Sequence, residues 1–195
     1  ETSITRKVKA LDIIIKTCTG VQLVSQNKKR IFEEEKSEYT FRTVNSLVKS
    51  AKDLKKKFEE IKVKFTIIDV NSISSDIKKI LSKISDEGFE VQHIPVKIEK
   101  KPENNMSTTM ASIRQSFYHG KNCTDLIYFV EDDYIHKKEA LAEMLFAYEK
   151  FSSIFEKEIF ILSADYPYLY KRLNNSNILI GENTHWRSVK ESLLT

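Results

Sequence analysis

Cysteine, proline and glycine are scarce, at two, three and four residues among 195. Cys18 and Cys123 stand far apart and match neither a zinc-ligand spacing nor a disulfide framework, so reduced thiols are expected. With so little Gly and Pro, and no stretch dominated by either or by Ser, a disordered or linker-rich chain is disfavoured. No apolar run approaches the roughly 18 residues that a membrane span needs, and no charged-then-apolar leader precedes the first strand-like segment. A soluble, cytoplasmic protein without a membrane span is therefore expected. A glycine-rich phosphate loop and a nucleophile elbow are also missing, which moves kinases, dinucleotide enzymes and serine hydrolases to the rear.

What is present suits one globular domain over residues 1–195, with 41% apolar and 31% charged residues. The chain opens on Glu1 rather than Met, and the expectation is a piece cut from a longer protein. The net charge of +4 comes from lysine runs such as Lys55-Lys56-Lys57 lying beside acidic runs such as Glu59-Glu60. Such runs read as solvated helix faces, and nucleic acid is not an expected partner. The small cationic excess still favours anionic phosphates.

Periodicity gives an ordered series of elements. Leu11-Asp12-Ile13-Ile14-Ile15 is a short, β-branched apolar run of the kind buried in a parallel sheet. Phe41, Val44, Leu47, Val48, Ala51, Leu54 and Phe58 recur at helical spacing, with Thr40 placed as an N-cap. A strand is expected over residues 64–70, then a helix after Ser74 and Ser75 that stops near Gly88, then a strand over 89–94. Met106, Met110, Ile113 and Phe117 mark a third helix, and residues 125–130 a strand that runs into Glu131-Asp132-Asp133. A helix over residues 137–153, a strand over 159–162 and another over 177–180 follow. This alternation predicts an α/β fold with a mostly parallel central sheet flanked by helices, whose ligands sit beyond the carboxyl ends of the strands.

Three adjacent acids after a buried strand repel one another unless a cation or hydrogen-bond donors compensate them. An oxygen-rich set without Cys favours a hard divalent metal, Mn²⁺ or Mg²⁺, able to bridge two phosphates. The alternative is a solvated acidic turn ahead of the next helix, where negative charge is favourable.

At these residues the chain resembles family 2-like glycosyltransferases of the GT-A fold. Ile13-Ile14-Ile15-Lys16-Thr17-Cys18 resembles their opening strand, and Arg42-Thr43-Val44-Asn45-Ser46-Leu47 their first helix. Ile67-Ile68-Asp69-Val70-Asn71-Ser72 is similar to their second strand, and Tyr128-Phe129-Val130-Glu131-Asp132-Asp133 to the strand carrying their DXD motif. The resemblance spans about residues 10–136 and continues weakly to His185. It implies a GT-A-like (Rossmann-like) domain moving a sugar from a nucleotide-sugar, with UDP-sugars favoured, to a glycan, lipid or protein acceptor.

The resemblance also implies roles. Thr17 and Cys18 would meet the base through their backbone, Asp69 the uracil N–H with Asn71 assisting, and Glu131 and Asp132 the ribose or metal. Asp133 would be the chief metal ligand, although Glu131 departs from strict DXD. His185, in Thr184-His185-Trp186-Arg187, is the candidate late metal ligand, with an ordinary surface or core histidine as the alternative. Asn105 and Arg114 are candidates for the diphosphate or donor sugar, the alternative for Arg114 being a plain surface arginine.

An inverting displacement needs a base on the acceptor hydroxyl. Asp165 is the candidate, ahead of Tyr166-Pro167-Tyr168, whose rings suit sugar stacking; the alternative is that it merely starts a turn before Pro167. Two other classes stay open: a nucleotidyltransferase, disfavoured by the missing glycine- and lysine-rich first loop, and a catalytically inactive nucleotide-sugar or nucleic-acid binding module.

Overall fold

The computed structural model describes residues 3–20, 34–97, 105–164 and 176–189. In chain order they form β1 (Ala10–Thr17), α1 (Lys36–Lys57), β2 (Lys62–Asp69), α2 (Ser74–Asp86), β3 (Glu90–Pro95), α3 (Asn105–Gly120), β4 (Leu126–Glu131), α4 (Ala140–Phe155), β5 (Ile178–Ile180) and β6 (His185–Arg187). Four strands build one sheet in the order β3-β2-β1-β4, and every pairing in it is parallel. The expected α/β architecture is present, in a Rossmann-like arrangement. β5 and β6 form a separate antiparallel pair.

Alternate residues of each strand face opposite sides of the sheet. Leu11, Ile13 and Ile15 of β1, Phe65 and Ile67 of β2 and Val130 of β4 face the main core. There they meet Val44, Leu47, Val48 and Leu54 of α1, Ile77, Ile80 and Ile84 of α2, and Leu141 and Leu145 of α4. Phe65, Ile13, Ile67, Leu47 and Ile80 are fully buried, each contributing about 1.5–3 kcal/mol of apolar transfer. The opposite face belongs to α3. His119 of α3 meets Thr66 of β2, and Phe117 stacks at a tilt on Phe129 of β4, 5.1 Å between centroids. That face is more polar, with Asp12, Thr66 and Lys16 among Ile14, Ile68 and Ile127, so the central strands are apolar runs interrupted on one side.

Three expectations need correction. α1 opens at Lys36, with Glu35 at the cap position and no side-chain cap, so Thr40 lies inside the helix and not at its start. Its hydroxyl donates to Asp132 Oδ2 at 3.0 Å, 92 residues away in sequence. α2 begins at Ser74 itself, with Ile73 at the cap position, although it ends ahead of Gly88 as expected, which adopts φ of +84°. Residues 159–162 form no strand. Ile159 and Ile161 pack against the core while Phe160 and Leu162 stay exposed, so the alternation that suggested a strand is present but no ladder of backbone hydrogen bonds accompanies it.

Candidate functional site

The chain passes outward through β1, β2 and β3, then returns to place β4 on the other side of β1. α1 and α2 lie on one face and α3 on the other, so the direction of winding reverses between β1 and β4. A reversal of this kind opens a crevice at the carboxyl ends of the two strands, the usual ligand position of open α/β sheets. The segments that end there are Thr17-Cys18-Thr19-Gly20 and Glu131-Asp132-Asp133.

The loops after β1 and β2 are stitched together. Thr19 N donates to Ser72 Oγ at 2.9 Å, Ile73 N donates to Thr19 Oγ1 at 2.9 Å, and Gly20 N donates to the Asn71 carbonyl at 2.8 Å. A Cβ on Gly20 would collide with that carbonyl oxygen, so glycine is required by the close approach of two backbones. Gly20→Ala is expected to lower stability by about 1–3 kcal/mol through this clash, measured by urea denaturation.

Asp69, at the end of β2, is mostly buried and already engaged. Its Oδ1 accepts from Ser72 N at 2.9 Å and lies 3.4 Å from Thr17 Oγ1, while His93 Nε2 of β3 sits 3.5 Å from Oδ2. The histidine contact is too poorly aligned for a hydrogen bond, and that buried nitrogen has no other hydrogen-bond partner among the described residues. Thr17, Asp69 and His93 thus share one end of the sheet, on the side of α1 and α2.

The three acids have separate fates. Glu131 is half-exposed and pairs with Lys16 Nζ at 2.8 Å. Asp132 is buried; its Oδ1 holds Lys36 Nζ at 2.5 Å, and its Oδ2 lies 3.2 Å from Cys18 N and 3.0 Å from Thr40 Oγ1. Asp133 is exposed. Asp132 therefore bridges the crevice, joining β4 to the loop after β1 and to the first turn of α1. Burial, reinforced by the Asp132 and Asp69 carboxylates, pushes the Cys18 thiol up, so it is not a thiolate near neutral pH.

The compensation that these acids need comes largely from the chain's own lysines. Among the described residues no three His, Cys, Asp or Glu side chains converge as a metal-ligand group. Both oxygens of Asp132 are engaged and Glu131 is paired with Lys16, so these two side chains do not by themselves form a hard-metal cage.

The remaining candidates are scattered. His185 opens β6 opposite Ile180, in a hairpin whose loop pairs Glu182 with Lys57 at 3.0 Å. Lys57 ends α1, five residues before β2 begins, at the amino end of the sheet. Among the described residues His185 does not join the 131–133 acids in a group that could hold a metal. Arg114 is exposed on α3, and Asn105 opens that helix. Asp165 and the Tyr166-Pro167-Tyr168 segment lie outside the described residues.

Sequence reasoning missed Lys36, Thr40 and His93. One signal was available for Lys36: a lysine in the first turn opposes the helix macrodipole, and its presence there points to a carboxylate partner. Thr40 follows four residues later and so lies on the same helix face. No family model, curated protein or solved structure matches the chain.

Proposed function

We propose that the chain is a nucleotide-sugar-dependent glycosyltransferase domain of the GT-A type, with a UDP-sugar held at the crevice between β1 and β4. One observation carries this reading: Thr17, Cys18, Asp69 and the 131–133 acids, drawn from segments up to a hundred residues apart and more, gather at the carboxyl edge beside the reversal of winding. In this reading the Asp69 side accepts the base and the Asp133 side faces the phosphates, with a glycan, lipid or protein hydroxyl as acceptor. Asp133 is exposed and follows directly on Glu131 and Asp132, and this supports assigning its carboxylate to the phosphate side of the crevice. Mn²⁺ or Mg²⁺ enters this reading only as an ion that Asp133 would help hold once a diphosphate supplies further oxygens. His185 has no part in it, and Asp165 stays the candidate base.

The lysine pairs of Glu131 and Asp132 also favour a second reading, a nucleotide-sugar binding module without turnover. Calorimetry with UDP and GDP, with and without Mn²⁺, tests the first step on the wild type and on Asp133→Ala. UDP is expected to bind better with Mn²⁺, and Asp133→Ala to weaken it about tenfold or more, near 1.4 kcal/mol. Absence of UDP and GDP binding under all conditions would sink both readings. Binding without any UDP-sugar hydrolysis or transfer would leave the module.

A further inference from the structure

A groove of about 400 Å³ lies beside the acidic turn, between the outer face of α1 and the loop over residues 134–138. Among the described residues its lining includes Arg42, Asn45, Lys49, His136 and Lys138, and no carboxylate. Positions 42, 45 and 49 stand at i, i+3 and i+7 of α1 and so form one stripe. Lys138 comes from across the groove. His136 N donates to Ser46 Oγ at 3.0 Å, tying the loop to the helix and fixing the width.

The His136 ring supplies a wall without charge. The Tyr134 carbonyl can only accept, so the Nδ1 lying 3.1 Å away carries the proton. Tyr128 O–H then donates to the bare Nε2 at 2.7 Å. Burial holds this imidazole below its ordinary titration range, consistent with that neutral tautomer. The countercharges lie outside the lining: Glu38 pairs with Arg42 at 2.7 Å, and Asp53 stands 3.7 Å from Lys138. Glu34 also acts on Arg42 electrostatically, so the surroundings roughly balance the three cations, while the groove's own lining carries Arg42, Lys49 and Lys138 beside the Asn45 amide and, among the described residues, no carboxylate.

We propose that this groove is an anion site that takes the phosphate group of a small phosphorylated ligand. Its size lies in the ordinary range of ligand clefts, and an arginine fork, two ammonium groups and the Asn45 amide match the several acceptor oxygens of a phosphate dianion. Among the described residues the site shares no lining residue with the crevice between β1 and β4, and it does not require that a nucleotide bind there.

Amide chemical shifts of the ¹⁵N-labelled chain, titrated at low salt with inorganic phosphate, a hexose phosphate and the uncharged hexose, provide the test. The two phosphates are expected to move the amides of Asn45, Ser46, Ile135 and His136, and the hexose none of them. Added salt should weaken binding. The double variant Lys49→Gln, Lys138→Gln removes two exposed ammonium groups and is expected to weaken phosphate binding about tenfold or more with the thermal midpoint little changed. Phosphate shifts confined to Thr17, Cys18 and Asp69, shifts unaltered in the double variant, or no shifts at low salt would each overturn the proposal.

Discussion

Glu143→Ala is expected to release the β5–β6 hairpin and to shift the fluorescence of Trp186 toward the red, with a stability loss of about 1–3 kcal/mol. Glu143 is 5% exposed and sits in the first turn of α4. Its Oε1 accepts from Trp186 Nε1 at 3.0 Å, Thr184 Oγ1 at 3.1 Å and Glu182 N at 3.2 Å, while Oε2 accepts from Asn183 N at 2.7 Å. Truncation would leave these donors without their acceptor; Glu182, Asn183 and Thr184 are exposed and can turn to water, so the loss falls chiefly on the half-buried Trp186 indole and on the anchorage of the hairpin. Trp186 is the only tryptophan in the chain, so its emission reports on this hairpin alone. Gly181→Ala should act in the same direction, because a Cβ there would overlap Glu143 Oε1 and crowd the indole nitrogen.

The same carboxylate sets a pH dependence. Burial would raise its pKa, but the bonds from Trp186, Asn183 and Thr184 outweigh burial and hold it below the ordinary 4.5. A carboxylate depressed in the folded state contributes stability above its unfolded pKa and loses it as pH falls through the folded value. The Trp186 signal should therefore be flat from neutrality to about pH 5 and change only in more acidic solution. Glu143→Gln should remove that acid-side transition, since the amide does not titrate in this range.

The framework was legible because its elements carry strong periodicity. The apolar stripe of α1 and the β-branched runs of β1 and β2 each satisfy one pattern over many residues, and local pattern and burial agree. What was not legible depends on partners distant in sequence. The start of α1 was misplaced because Thr40 has cap chemistry, yet its hydroxyl is turned to Asp132, 92 residues away. Residues 159–162 show the alternation of a strand without the neighbour that would complete it. His185 and the acids share metal-binding chemistry, and their spacing in sequence does not tell whether they converge; among the described residues they form no metal-ligand group. The acidic turn was located by its chemistry, whereas the neutralisation of two of its members required Lys16 and Lys36, contributed by β1 and α1.

The adjacent acids Asp132 and Asp133 are expected to part company under substitution. Asp132→Ala should cost about 3–5 kcal/mol, measured by urea denaturation, because it leaves the Lys36 ammonium, 12% exposed, without its partner and frees Cys18 N and Thr40. Asp132→Asn should cost less, since an amide oxygen still accepts from Cys18 N. A double-mutant cycle with Lys36→Ala separates the pair from its surroundings; a coupling below about 0.5 kcal/mol would mean that the lysine contributes nothing specific. Asp133→Ala removes an exposed carboxylate and should leave stability within about 0.5 kcal/mol of wild type. Under the proposed function, Asp133→Ala is nevertheless the variant that loses metal-assisted UDP binding, while Asp132 fixes the crevice in which that binding takes place. If Asp133→Ala proved as destabilising as Asp132→Ala, both acids would be part of one structural turn, and the assignment of Asp133 to a ligand would fail with it.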